Sequence, residues 1–139
     1  MMIKILTIGK IKDRNIKALF EEFLRRLNRF YTILLVEFKD ENGILKLIEK
    51  EDSYIVICDS EGSQLSSMDF SNFIKDKINN KNLIFVIGDE NGLGNEIKLK
   101  ANFKLSFGKM TFLHDMFKLI LIEQIYRAFT IIKGMRYHK

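Results

Sequence analysis

The sequence predicts an α/β protein built on a parallel sheet with helices on both faces. Three observations carry that expectation. Strand-like apolar runs alternate with segments of helical periodicity along the whole chain. The run Tyr54-Ile55-Val56-Ile57-Cys58 is apolar throughout, as a strand covered on both faces must be. Connections are short, and Cys58-Asp59, Gly88-Asp89 and Phe107-Gly108 fall at the carboxyl ends of three strands, where open α/β sheets bind ligands.

The elements follow in order. Met2 to Gly9 reads as the first strand. Asn15 to Asn28 carries Ile16, Leu19, Phe20, Phe23, Leu24 and Leu27 on one stripe, which predicts a helix. Thr32 to Phe38 is the second strand, and a short helix is expected after Gly43, where Ile44, Leu45, Leu47 and Ile48 cluster. Residues 54–58 form the third strand. Ser66 or Ser67 caps the next helix, with Asp69 in its first turn and Phe70, Phe73, Ile74 and Ile78 on its buried side. Leu83 to Ile87 is the fourth strand; a short helix through Glu96 to Ala101 leads to a fifth, Phe103 to Phe107. The last helix, Leu113 to Lys133, spans about 31 Å at ~1.5 Å per residue. Its apolar residues, from Met116 and Phe117 to Ile131 and Ile132, surround most of its circumference, which one buried stripe does not explain. Lys118, Glu123, Gln124 and Arg127 exclude a simple membrane span. The expectation is that one side packs on the sheet and the other on a second copy, because twofold dimers are the commonest soluble assembly.

Composition narrows the classes. The 139 residues suit a single domain over residues 1–139, and 47% hydrophobic content allows a real core. No apolar run is long enough to cross a bilayer, and the first residues carry no cleavage site, so no secretory leader is expected. The lone Cys58 fits a reducing, cytoplasmic setting. Two histidines and one cysteine, widely spaced, give no metal-ligating pattern, so no metal is expected. The net charge is +5, and residues 104–139 hold all of the excess. Concentrated positive charge draws polyanions, RNA foremost; a solvated basic helix face is the alternative.

The turn after the fourth strand, Gly88-Asp89-Glu90-Asn91-Gly92-Leu93-Gly94, asks what it binds. Neither a P-loop nor a dinucleotide fingerprint is present. Two carboxylates would repel a polyphosphate, so a ligand here should be neutral or cationic. By themselves these residues favour a purely structural turn, with glycines supplying positive φ.

The stretch LSFGKMTFLHDMFKLILIEQIYRAFTIIKGMRYHK closes the chain. Together with IKILTIGKIKD, IVICDSEGSQLSS and FVIGDENGL, it resembles the RlmH family of small SPOUT-class methyltransferases over nearly the full length. The resemblance implies a C-terminal trefoil knot, S-adenosylmethionine as cofactor, and a homodimer. The implied product is N3-methylated pseudouridine in 23S ribosomal RNA of the assembled ribosome. Carried over by position, the cofactor pocket takes Cys58, Gly88, Phe107, Gly108, Lys109, Met110, Thr111 and Phe112. A phosphate-free sulfonium cofactor tolerates Asp59, Asp89 or Glu90 nearby, and its adenine wants apolar walls with backbone amides. On that reading the absent side chain at Gly88 lets the cofactor approach. Four positions depart from the family pattern: Asp89 replaces a second glycine, Leu113 a proline, Cys58 a leucine and Lys118 an arginine.

The resemblance also assigns the chemistry. Positioning dominates an in-line methyl displacement, and the acceptor imide nitrogen must lose its proton. His138 is the candidate acceptor of that proton, Arg127 and Lys139 stabilise the anion, and Tyr137 stacks on or hydrogen-bonds the base. Arg127, Tyr137, His138 and Lys139 are thus the candidate substrate-binding set, whereas His114 is assigned a structural role and Cys58 a wall. Two rival classes remain. A receiver domain would phosphorylate Asp59 and use Lys109, but Gly9-Lys10-Ile11 stands where its acidic pair belongs. A non-catalytic basic RNA-binding module explains the charge but not the convergent glycine turns.

Overall fold

The computed structural model describes residues 1–139. Its order is β1 (Ile3–Ile8), α1 (Arg14–Leu27), β2 (Ile33–Phe38), α2 (Glu41–Lys50), β3 (Ser53–Gln64), α3 (Ser67–Lys77), β4 (Asn82–Ile87), α4 (Asn95–Lys98), β5 (Phe103–Ser106) and α5 (His114–Ile132). The strands form one sheet in the order β2-β1-β4-β3-β5, every neighbouring pair parallel. Side chains alternate across it as a pleat requires. Ile3, Ile5, Leu83 and Phe85 join one core with α1, α3 and α5. Leu6, Ile8, Ile84 and Val86 join the other with α2 and α4. The α/β class with both faces covered is therefore what forms.

Caps fix several boundaries. The Asp13 carboxylate accepts the amides of Asn15 and Ile16 and starts α1. Asp40 caps α2 in the same way, so that helix begins at Glu41 rather than after Gly43. Gly43 belongs inside its first turn, where a Cβ would stand 2.6 Å from the Phe38 ring. Ser66 caps α3 through the Asp69 amide, and α4 is a single turn, shorter than expected. β3 is longer than expected at 12 residues. It pairs with β5 up to Cys58, breaks register, and resumes at Ser63. Gly62 permits the close return, since a Cβ there would lie 2.6 Å from the Lys104 backbone.

Residues 107–113 lead from the edge strand β5 past the ends of β3 and β4 to β1. There Asp115 accepts the amides of Lys12 and Asp13, both at 2.9 Å. Lys118 Nζ lies 3.4 Å from the Gly9 carbonyl and is fully buried. This corrects its place in the basic C-terminal surface: Lys118 is a core residue. The chain turns out of α5 at Gly134, φ +71°, with the Met135 amide bonded back to the Thr130 carbonyl at 2.8 Å. The tail then folds onto the helix, Tyr137 packing edge-on against Tyr126 at 4.8 Å.

Candidate active site

The carboxyl ends of β4, β3 and β5 are adjacent, and a cavity of about 280 Å³ opens across them. Cys58, Gly88, Phe107, Gly108, Met110, Thr111 and Phe112, which the resemblance assigns to a cofactor pocket, all line it. Lys109 does not; its side chain is exposed away from the wall. Met110 is 83% exposed and forms the rim rather than the floor. Phe117 was not foreseen: it comes from α5 and packs on Phe107 at 5.0 Å, making an apolar face suited to a planar ring. Ser60 and Ser106 were also missed. Ser106 Oγ accepts the Gly108 amide at 3.0 Å and lies 3.1 Å from the Ser60 carbonyl, tying the β5 loop to the β3 extension.

The turn after β4 works differently from the expected role of Gly88. A Cβ on Gly88 would lie 2.7 Å from the Gly92 backbone and 2.9 Å from Leu93. Its missing side chain therefore makes room for the protein's own turn. Gly92, φ +81°, closes that turn by donating its amide to the Asp89 carbonyl at 2.9 Å. Asp59, Asp89 and Glu90 line the cavity without any Lys or Arg, so it favours a cation. Lys98, 3.6 Å from Asp59, stands outside the lining.

His114 opens α5 on the cavity wall. Burial and the Lys118 charge hold its pKa below the ordinary value, against a bond to the Ile8 backbone and the charges of Asp115 and Asp89. Its Nε2 is buried and has no hydrogen-bond partner in the protein. Such an atom is free to accept a hydrogen bond from water or from a bound molecule. Asp115 follows it. Burial pushes that carboxyl up, but the Asp13 and Lys12 amides and Lys118 outweigh this and leave it below the usual range. Cys58 is half-buried, and burial of its thiol pushes the pKa up to about 12. A thiol in that state is wall, not nucleophile.

The tail residues form a second cluster. The Arg127 Nη2–Glu123 Oε2 distance is 3.0 Å, and Arg127 Nη1 lies 3.2 Å from His138 Nδ1. Tyr137 donates to Glu123 at 3.0 Å, with the Arg127 guanidinium 4.8 Å over its ring. Burial and the bond to Glu123 raise the Tyr137 pKa. Lys139 is exposed beside this group. The structure thus brings Arg127, Tyr137 and His138 together, but none of them lines the cavity of the same chain. Glu123, the acceptor that organises them, was missed in the sequence; its signal was the i,i+4 spacing to Arg127.

Comparison with known proteins places these features. A family profile described as "Predicted SPOUT methyltransferase" matches residues 1–138. The protein named "Ribosomal RNA large subunit methyltransferase H" from Caldicellulosiruptor saccharolyticus is 42% identical over 155 residues, covering 99% of this chain and 100% of that one. Its namesake from Malacoplasma penetrans is 41% identical, with both chains covered completely. Among solved structures, a probable methylase family protein from Haemophilus influenzae Rd KW20 superposes with a TM-score of 0.63, at 14% identity, over 99% of this chain and 70% of that one. The SpoU methyltransferase AviRb from Streptomyces viridochromogenes, solved with AdoMet, gives a TM-score of 0.58 at 11% identity, over 97% of this chain and 59% of that one. At such identities the structural likeness concerns the fold alone.

Proposed function

The chain belongs to the SPOUT methyltransferases named ribosomal RNA large subunit methyltransferase H, and from that membership we propose its reaction and the residues that perform it. It is an S-adenosylmethionine-dependent methyltransferase of large-subunit ribosomal RNA. The proposed acceptor is N3 of a pseudouridine in 23S RNA of the assembled ribosome, and the proposed setting is the cytoplasm. Residues 1–139 are proposed to act as one domain with a trefoil knot in its C-terminal part.

The observation that carries the site is the cavity at the ends of β3, β4 and β5. Its donor set fits the cofactor: apolar faces at Phe107, Phe112 and Phe117, and carboxylates for a sulfonium. S-adenosylmethionine supplies an electrophilic methyl group on a cationic sulfur. The chain's residues do the rest. The glycine turns present backbone, the aromatics exclude water, and Arg127 with Tyr137 and His138 orients the base and stabilises its deprotonated form. Because that cluster lies away from the cavity of its own chain, we propose a homodimer in which each tail completes the partner's site. The half-covered stripe of α5 through Met116, Ile120, Arg127 and Ile131 supplies a surface for such pairing. Transfer of labelled methyl to ribosomes lacking the modification, followed by mapping of the modified base, tests the reading. Absence of transfer to 23S RNA overturns it.

A further inference from the structure

A second cavity, about 560 Å³, opens beside the first at the carboxyl end of β1. The two share only Asp89, Glu90 and His114, which stand as a wall between them. Lysines stand on one side of the wall only. The first cavity has acidic residues and no Lys or Arg in its lining, whereas the second sets Lys10, Lys12 and Lys39 beside Asp13, Asp89, Glu90 and Asp115. All three lysines are exposed and none takes part in an ion pair. Two of the acids beside them are engaged elsewhere: Asp13 caps α1, and Asp115 accepts the Lys12 and Asp13 amides. Beneath them lies the buried Lys118. Free ammonium groups at an open cleft are point-charge ligands for phosphate. His114 adds an unpartnered acceptor on the wall itself.

We propose that this second cavity seats the acceptor strand of the RNA, with Lys10, Lys12 and Lys39 on phosphates flanking the target nucleotide and the base edge against His114 Nε2. The cationic cofactor and the polyanionic substrate then meet over the exposed edge formed by Asp89 and Glu90. A base N–H entering from the lysine side meets the lone pair that the fold leaves open, while the N3 to be methylated faces the sulfonium. The proposal rests on the ribosomal RNA methyltransferase reading and adds the place where that RNA binds.

The test uses the full chain, ribosomes lacking the modification, and Lys10→Gln, Lys12→Gln and Lys39→Gln singly and together. Each lysine that neutralises a phosphate should reduce the slope of log kcat/KM against log salt by about 0.7–0.9. The triple variant should lose about 2–3 from that slope and raise the ribosome KM at least about tenfold near physiological salt. Its melting temperature and calorimetric affinity for S-adenosylmethionine should match the wild type. His114→Phe should lower kcat at saturating ribosomes while the salt slope stays unchanged. A triple variant with wild-type KM and slope overturns the lysine site; an unchanged kcat for His114→Phe overturns the base contact. A wild-type chain that methylates no ribosomal RNA instead removes the underlying reading, so the two failures are separable.

Discussion

If each tail serves the partner's cavity, two differently crippled chains should rescue each other. Arg127 follows His114 by 13 residues on one continuous helix, an axial separation of about 20 Å at ~1.5 Å per residue. Tyr137 and His138 fold back onto Glu123 and Arg127 and so stay at that distance. No arginine side chain spans such a gap. Gly108→Val spoils the cavity loop, since φ is +118° there and a β-branched residue strains in that region. Arg127→Ala spoils the tail cluster. Each variant alone should be nearly inactive, with Arg127→Ala still binding S-adenosylmethionine at wild-type affinity. When the two are co-expressed with different tags, random pairing makes about half the dimers mixed, each with one intact composite site of two. The mixture should therefore recover roughly a quarter of the wild-type rate, and purified mixed dimers about half. Labelled methyl transfer to ribosomes measures both. Mixed dimers with only the residual activity of their parents would refute the shared site, as would a chain that sediments as a monomer at micromolar concentration.

Other consequences follow from single residues. Gly88→Ala forces a Cβ to 2.7 Å from the Gly92 backbone; the turn must shift, costing about 1–3 kcal/mol and weakening cofactor binding. A wild-type urea midpoint and calorimetric affinity would contradict that. His114 has a folded pKa below its ordinary 6.5, so between those values the unfolded chain binds a proton that the folded chain refuses. Stability should fall as pH drops below about 6.5, and His114→Gln should flatten that segment. Asp115 acts in a separate window: its stabilisation is present above the ordinary 3.8 and is lost only as pH falls through the lower folded value. Urea midpoints across pH resolve the two. Cys58, with its thiol pushed up to about 12, should resist iodoacetamide at pH about 8 and react once unfolded; rapid native alkylation would show an accessible thiolate.

Most of the frame was legible because periodicity reports burial. A run such as Leu83-Ile84-Phe85-Val86-Ile87 is apolar at every position because both faces of its strand are covered, the two cores drawing on alternate residues. The strand-end cavity was legible because glycines at strand ends mark backbone turns, whatever they bind. The extension of β3 through Asp59-Ser60-Glu61-Gly62 was not, since these residues have little strand propensity and form the break in register between the Cys58 and Ser63 pairings with β5. Lys118 misled in the other direction: charge implies solvent, and only tertiary contact with the Gly9 carbonyl reveals its burial. His114 looked structural because nothing in a sequence says which ring nitrogen lacks a partner.

The buried charge at the start of α5 explains how the wall between the two cavities is held in place. Burying a lysine and a carboxylate adds little net stability, since desolvation offsets their attraction. What they provide is location. Asp115 binds the amides that follow β1, and Lys118 reaches the carbonyl that ends it, so α5 is fixed against the β1–α1 turn from both sides. Asp115 also suits the helix N-terminus, where the dipole favours an anion. His114 adjoins Asp115 and cannot drift while that lock holds. A hydrophobic pair could pack the same volume but would leave the Lys12 and Asp13 amides and the Gly9 carbonyl without these partners. The polar lock is therefore better understood as positioning the wall than as strengthening the fold.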